Sequence, residues 1–575
     1  MAQIKFYGSQ VGGSKISSHS YTGSPLTLLR DDIVSAFSFF LFLPYIVFPM
    51  NPLRSGHLCE LYPSFANLWS MFLHVILILL QLPFLLSIPF WIFLPVWSVI
   101  LGIAVFWVMN QGIWYLLNGN QIEYPSNPAY ASNEGNEHEQ WIFLNGVAVG
   151  KNWLQSNVDR LALTFGRPVL GVHNPTNGIL FDVLQCLIQR NFTYATSDVR
   201  ACYSIVKSTL YRTDLTKVIF ILHSQGGIEG GMIIDWLLQE VPQDLLAKLE
   251  VYTFGNAANH FNNPHLHLLS QAAALKHPTT PITTKTFTSV HYHDALPTLS
   301  HAPNGNGNGN GAPQPRSTSR TKSHSGKTIR HIEHYAHKSD FVACWGVLKF
   351  TSLSLSSSSL DPALNPNLPR FMGRVFERQG EGHQLNMHYL DCMFPLEPVG
   401  EANKDSGKGK GKGGIGGSGF LGAREVGNEF MESGMELGGL GAGSADTETK
   451  NRAEDGGEED EDEEKNGREG LEMSYLGAHG CLSGEEEEDE KEKEKEKEVV
   501  FRDMSPVSPE TMKRFGLGMT MSPTSPNGTN GVEKAENKKR VQFKVKDLSR
   551  LWLYRNGKSP PADVSDVGIP RMATI

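Results

Sequence analysis

Closely spaced cysteines are missing from this chain. The six it has, Cys59, Cys186, Cys202, Cys344, Cys392 and Cys481, are scattered without the short spacings of a zinc site or a disulfide framework, so a reducing compartment is the default. An apolar core is missing from residues 1–30, which are polar and rich in Gly and Ser, so no cleaved signal peptide is expected there. Acidic side chains are absent from the same stretch, which carries Lys5, Lys15 and Arg30. An excess of basic residues is missing overall. The net charge of −9 comes largely from acidic tracts near the C-terminus, and no nucleic-acid footprint is present.

Charge is also absent from residues 68–117. That run is long enough for two membrane spans of about 20 residues each, and Pro83, Pro89 and Pro95 lie near its middle. It predicts a membrane-embedded helical hairpin, with Trp91, Trp97, Trp107 and Trp114 available as interfacial anchors. An earlier apolar run, residues 33–50, contains Pro44 and Pro49 and is short for a full crossing. The cations before it place the N-terminus in the cytosol, and the part after the hairpin joins it there if the crossings are even in number. The sequon at Asn191 would matter only in a lumen.

From residue 141 the pattern is that of an α/β domain. Strands are expected at 141–144, 168–172, 218–222, 249–254, 284–291, 332–337 and 375–378, with helices at 153–165, 179–190, 198–211 and 228–240. This alternation predicts a mostly parallel sheet with helices on both faces. Residues 304–327 form an Asn-Gly and Ser/Thr/Arg/Lys insertion without core-forming residues, and 351–360 a serine-rich loop. The domain is expected to span 136–400, after a polar tail at 1–31 and membrane segments at 32–120. A charged, disordered tail at 401–575 follows, its acidic runs open to protein partners. Within it, 541–554 is a basic and aromatic island read as a linear motif, a membrane-surface helix or incidental composition, and four Ser-Pro pairs lie at 505–526.

The most informative stretch is 217–227, where an apolar strand meets His223-Ser224-Gln225-Gly226-Gly227 and a helical pattern follows. A strand, sharp turn and helix around Ser-x-Gly describe a nucleophile elbow with Ser224 as nucleophile, and Leu222 stands where the first glycine of Gly-x-Ser-x-Gly would be. A serine hydroxyl needs an imidazole to take its proton and a carboxylate to orient that imidazole. Chain order and position favour Asp340 as the acid, with Asp294 as the alternative, and His383 as the base, with His388 as the alternative. The expected oxyanion donors are the backbone N–H of Gln225 and that of Gly146 or Val147, in the turn after the first predicted strand.

Together Phe143-Leu144-Asn145-Gly146, Arg167-Pro168-Val169, the elbow, His334-Tyr335-Ala336-His337 with Asp340-Phe341-Val342, and Gly382-His383 with His388-Tyr389-Leu390 resemble the α/β-hydrolase superfamily. More closely, they resemble its fungal membrane-associated lipase-like serine hydrolases, over residues 141–398. The resemblance implies an α/β-hydrolase fold and cleavage of a lipid-like carboxylic ester, with neither metal nor organic cofactor. With the hairpin, the expected setting is an internal membrane such as the endoplasmic reticulum or a lipid-droplet surface, with membrane lipids as partners. The competing expectation is a catalytically silent hydrolase fold serving as a membrane scaffold.

Overall fold

The computed structural model describes residues 4–7, 24–51, 53–131, 135–264, 328–352, 371–398, 419–437 and 544–560. All belong to one compact unit, and a second unit, 442–537 with 571–575, lies outside them. The insertion at 304–327, the strand expected at 284–291, Asp294 and the Ser-Pro pairs also fall outside the described residues.

The first half contributes β1 (Ile4–Tyr7), α1 (Pro25–Ser38), α2 (Phe65–Ser87), α3 (Val96–Asn118), β2 (Glu123–Pro125), β3 (Glu139–Leu144), α4 (Lys151–Phe165), β4 (Val169–Val172), α5 (Ile179–Phe192) and α6 (Ser197–Tyr211). Then come β5 (Lys217–His223), α7 (Gln225–Glu240), β6 (Leu249–Phe254), β7 (His331–His337), β8 (Arg374–Arg378), β9 (Leu396–Pro398), β10 (Phe420–Ala423) and β11 (Met435–Leu437). The nine-stranded sheet has the order β11-β1-β8-β7-β6-β5-β3-β4-β2, and β9 and β10 form a separate pair. The six strands from β4 to β8 are parallel, while β2 and β1 run antiparallel to their neighbours β4 and β8.

Alternation along the strands builds two cores. Ile142, Leu144, Val218, Phe220 and Leu222 point to the face covered by α5, α6 and α7, where they meet Cys186, Cys202, Val206, Ile233 and Leu237. Trp141, Phe143, Ile219 and Ile221 point to the opposite face, covered by Leu154, Val158, Leu161 and Phe165 of α4. The connection after β3 runs toward β4, whereas that after β5 runs toward β6, so the order switches between β3 and β5. A parallel α/β sheet opens a crevice at such a point, at the carboxyl ends of the strands. The loops leaving those two ends carry Gly146 and Ser224.

The expected hairpin is two helices. The apolar stretches Phe65–Phe93 and Val96–Asn118 contain 18-residue windows of mean hydropathy 2.4 and 1.7 and are long enough to cross a membrane. Pro89 lies in the first turn of the 3-10 segment Ile88–Phe93 between the helices and Pro95 is the N-cap of α3, whereas Pro83 is accommodated inside α2. Residues 33–50 form no single helix long enough to cross a membrane, because α1 ends at Ser38 and the 3-10 segment Phe40–Ile46 follows.

Three boundaries differ from expectation. The polar N-terminal tail supplies β1, which pairs Ile4 with Arg378 and with Met435. The domain does not stop at 400, since β10 and β11 belong to it. Nor is the whole of 401–575 a detached tail, because residues 544–560 lie in the core: Val545, Leu551, Trp552 and Tyr554 are buried. Arg550 pairs with buried Glu250 at 2.8 Å, and Tyr554 donates a second 2.8 Å bond to that carboxylate. This pairing explains the basic and aromatic composition of the island: its cation neutralises a carboxylate that the strand itself buries.

Candidate active site

Ser224 stands between β5 and α7 with φ 57° and ψ −120°, a conformation costing a non-glycine residue about 1–3 kcal/mol. Its backbone is held there from both sides. The Ser224 N–H donates to Phe254 O at 3.1 Å, and Ser224 O accepts from Gly227 at 2.9 Å and Ala257 at 3.2 Å. The helix starting at Gln225 sits close to the sheet because of its glycines: a Cβ on Gly230 would collide with the side chain of Leu222. Leucine at the motif's first-glycine position is thus accommodated by a glycine one and a half turns along α7.

The Ser224 hydroxyl is 2.9 Å from His383 Nε2, and His383 Nδ1 is 2.8 Å from Asp340 Oδ2. Asp340 follows β7 and caps the short helix Phe341–Trp345, accepting the Val342 N–H on Oδ1 at 2.8 Å. Its other oxygen also accepts the Tyr389 hydroxyl, at 2.7 Å. Burial works against ionisation of Asp340, but the facing His383 and the hydrogen bonds from His383 and Tyr389 outweigh it and hold the carboxyl below its usual value. With the carboxylate accepting at Nδ1, Nε2 is left free to accept the serine proton.

His388, the alternative base, is turned away from the serine. Its Nδ1 is 2.9 Å from the Gln384 N–H, and its Nε2 is 2.9 Å from Pro49 O. An imidazole accepting on one nitrogen and donating from the other to backbone is neutral, in line with burial lowering it to about 4. Asp294, the alternative acid, lies outside the described residues.

Of the expected oxyanion donors, Gln225 begins α7 immediately after the serine, so its N–H belongs to the positive end of that helix. Gly146 is pressed against the nucleophile: a Cβ there would lie 2.5 Å from Ser224 Cβ and 3.0 Å from Ser224 Oγ. The loop is fixed by Asn145, which donates from Nδ2 to Asn174 O at 2.8 Å and accepts the Asn174 N–H at 2.9 Å. Beyond Val147, buried Asp182 accepts the Ala148 N–H at 2.9 Å and the Thr176 hydroxyl at 2.6 Å.

Sequence reasoning gave no role to several neighbours. Tyr389 sits one residue past His388, and only the turn at Leu385–Leu390 brings its hydroxyl to Asp340. His223 stacks on His383 with centroids 4.8 Å apart, and its Nε2 lies 2.9 Å from His383 O. Burial lowers it to about 3, so it stays neutral beside the base. The segment after α1 also flanks the site: Gln384, next to His383, donates to Ile46 O at 3.0 Å. No residue spacing predicts contacts between chain segments so far apart. Ser224 and His383 are only 4% and 5% exposed, so the pair is almost closed to water.

Among the described residues, no cluster of three or more His, Cys, Asp or Glu side chains is placed to hold a metal ion. Neither a protein-family model, nor a curated protein, nor a solved structure matches this chain.

Proposed function

We propose that this protein is a membrane-attached serine hydrolase that cleaves a carboxylic ester, lipid-like in character, through an acyl-enzyme. The observation that carries the reading is the unbroken Ser224–His383–Asp340 relay, at 2.9 and 2.8 Å, on a positive-φ elbow at the switch point of a parallel sheet. In this reading Ser224 Oγ attacks the ester carbonyl while His383 Nε2 takes its proton. The carbonyl oxygen, now negative, accepts from the N–H groups of Gln225 and of Gly146 or Val147. Collapse expels the alcohol, protonated by His383, and water activated by the same imidazole then releases the acid and restores the serine.

The strand order from β2 to β8, with one antiparallel edge at β2, supports an α/β-hydrolase fold in this reading, as do the positions of Ser224, Asp340 and His383 after β5, β7 and β8. The hairpin supports attachment to a membrane where water-insoluble esters are found. Because β1 and the rest of the sheet are hydrogen-bonded together, the chain before the hairpin and the domain after it share one side of that membrane. The cations near the N-terminus favour the cytosolic side. Asn191 argues nothing for a lumen, since it is buried and donates to Leu187 O inside α5.

The test is covalent labelling of the full-length protein, in isolated membranes, with a fluorophosphonate. Wild type should label and Ser224→Ala should not. A wild-type protein that neither labels nor hydrolyses any ester of a short- to long-chain series would overturn the reading in favour of a silent scaffold.

A further inference from the structure

The helix α5 is built inside out for a water-soluble domain. It buries Asp182, Gln189, Arg190 and Asn191 and turns Val183, Leu184, Ile188 and Phe192 outward at 49%, 47%, 39% and 43% exposure. The neighbouring α1 repeats the inversion, with Asp32 buried while Ile33, Val34 and Phe37 are exposed. These two helices meet through their polar sides: Arg190 bonds Asp32 at 2.9 Å and also donates to Ala257 O and Trp345 O. By contrast α4 and α7, on the same sheet, expose no large apolar side chain.

Polar-in and apolar-out is the arrangement expected where the outer solvent is hydrocarbon, and the hairpin shows it too. There α2 and α3 join through Gln81 and Asn110 at 2.9 Å, and Gln81 also reaches Asn177 O next to the start of α5. The helices are contiguous: Phe106 of α3 meets Phe181 of α5 edge-on at 6.0 Å, and the segment following α1 adds exposed Phe40, Leu41 and Phe48. Isolated exposed apolar residues mean little, but a continuous inverted surface of this kind marks an interaction face.

We propose that α1, α5 and residues 40–48 form, with the hairpin, one lipid-facing surface, so that α5 lies in the plane of the bilayer interface. Its outer face then sits roughly 5–10 Å deep at the headgroup–acyl boundary. The protein is thereby seated on the membrane by its body as well as tethered to it. Since residues 40–48 adjoin Gln384, the side chain next to His383, the catalytic loops face the leaflet rather than bulk water.

The experiment uses full-length protein with Cys481→Ser, reconstituted in phosphatidylcholine vesicles and bearing one environment-sensitive fluorophore. The label is placed at Leu184→Cys, at Ile188→Cys, at Leu101→Cys within α3, or at Asp214→Cys on the exposed turn after α6. Phosphatidylcholine spin-labelled near the headgroup should quench the 184 and 188 labels by roughly two-fold or more, as a shallow interfacial position requires, and leave the 214 label unchanged. Two α5 positions guard against a single misfolded variant, and quenching at 101 verifies reconstitution. Quenching at both 184 and 188 no greater than at 214 overturns the proposal. So does self-quenching between copies without quenching by lipid, which would assign the face to a second copy of this chain. No ester turnover enters the readout, so its failure leaves the reading of Ser224 untouched.

Discussion

The two histidines of the His383–His388 loop are predicted to fail in different ways when replaced. His383→Gln removes the one imidazole that, among the described residues, hydrogen-bonds Ser224 Oγ, and should lower ester turnover and fluorophosphonate labelling by about 10³-fold or more. His388→Gln removes a buried neutral imidazole whose partners are both backbone, and a glutamine amide offers the same donor and acceptor. Its signature lies in stability. Burial lowers His388 to about 4 from a usual 6.5, so the unfolded chain takes up a proton below pH 6.5 that the folded chain refuses until about pH 4. Stability from this group is therefore intact above pH 6.5 and lost as pH falls toward 4. Between pH 7 and pH 5 the loss is on the order of 2 kcal/mol, and His388→Gln should lack it. Urea titrations at the two pH values, run beside the labelling assay, measure both effects. Loss of labelling in His388→Gln with retention in His383→Gln would refute the assignment, and an unchanged pH dependence in His388→Gln would refute the account of its burial.

Two further outcomes test the supports of the site. Gly146→Ala forces a methyl group onto Ser224 and should lower turnover by roughly 10²-fold, the scale of a displaced oxyanion donor, with fluorophosphonate labelling slowed in parallel; unchanged kinetics would remove this loop from the site. Arg550→Ala removes the 2.8 Å partner of buried Glu250 and leaves Arg330, at 3.7 Å, as its remaining arginine, so it should cost about 3 kcal/mol in chemical denaturation, partly restored by adding Glu250→Gln; an unchanged unfolding midpoint would mean that residues 544–560 do not hold the domain together.

How much of this was legible varies with the range of the interaction. The strands β3, β5 and β6 announce themselves by short apolar runs, because helices cover both faces of the sheet, and α4 to α7 by the helical spacing of their apolar residues. Ser224 stood out because the elbow is encoded within a few residues. β1 did not, since Ile4–Tyr7 is four residues in a Gly/Ser-rich context and finds its partner strand only 370 residues later, as in the Tyr7–Glu377 bond. The segment at 544–560 was equally opaque: a cation and aromatics amid a charged tail carry no mark that Glu250 needs them. The inversion of α5 was hidden for a different reason. Periodicity reports that one face is apolar without reporting which face meets the core, and only the buried Asp32–Arg190 pair settles it.

The 300 residues separating Glu250 from Arg550 also set a schedule for synthesis. At roughly 5–20 residues per second, a ribosome needs on the order of 15–60 s to reach the arginine after making the glutamate. The hairpin precedes both, so it is already made while Glu250 still lacks its 2.8 Å partner and has yet to meet Arg330, which lies 3.7 Å away in the finished fold. For that interval the nascent protein is an unfinished domain whose last lock arrives from the far end of the message. A premature stop before residue 544 would leave a product that carries Ser224 but lacks the arginine that closes on Glu250.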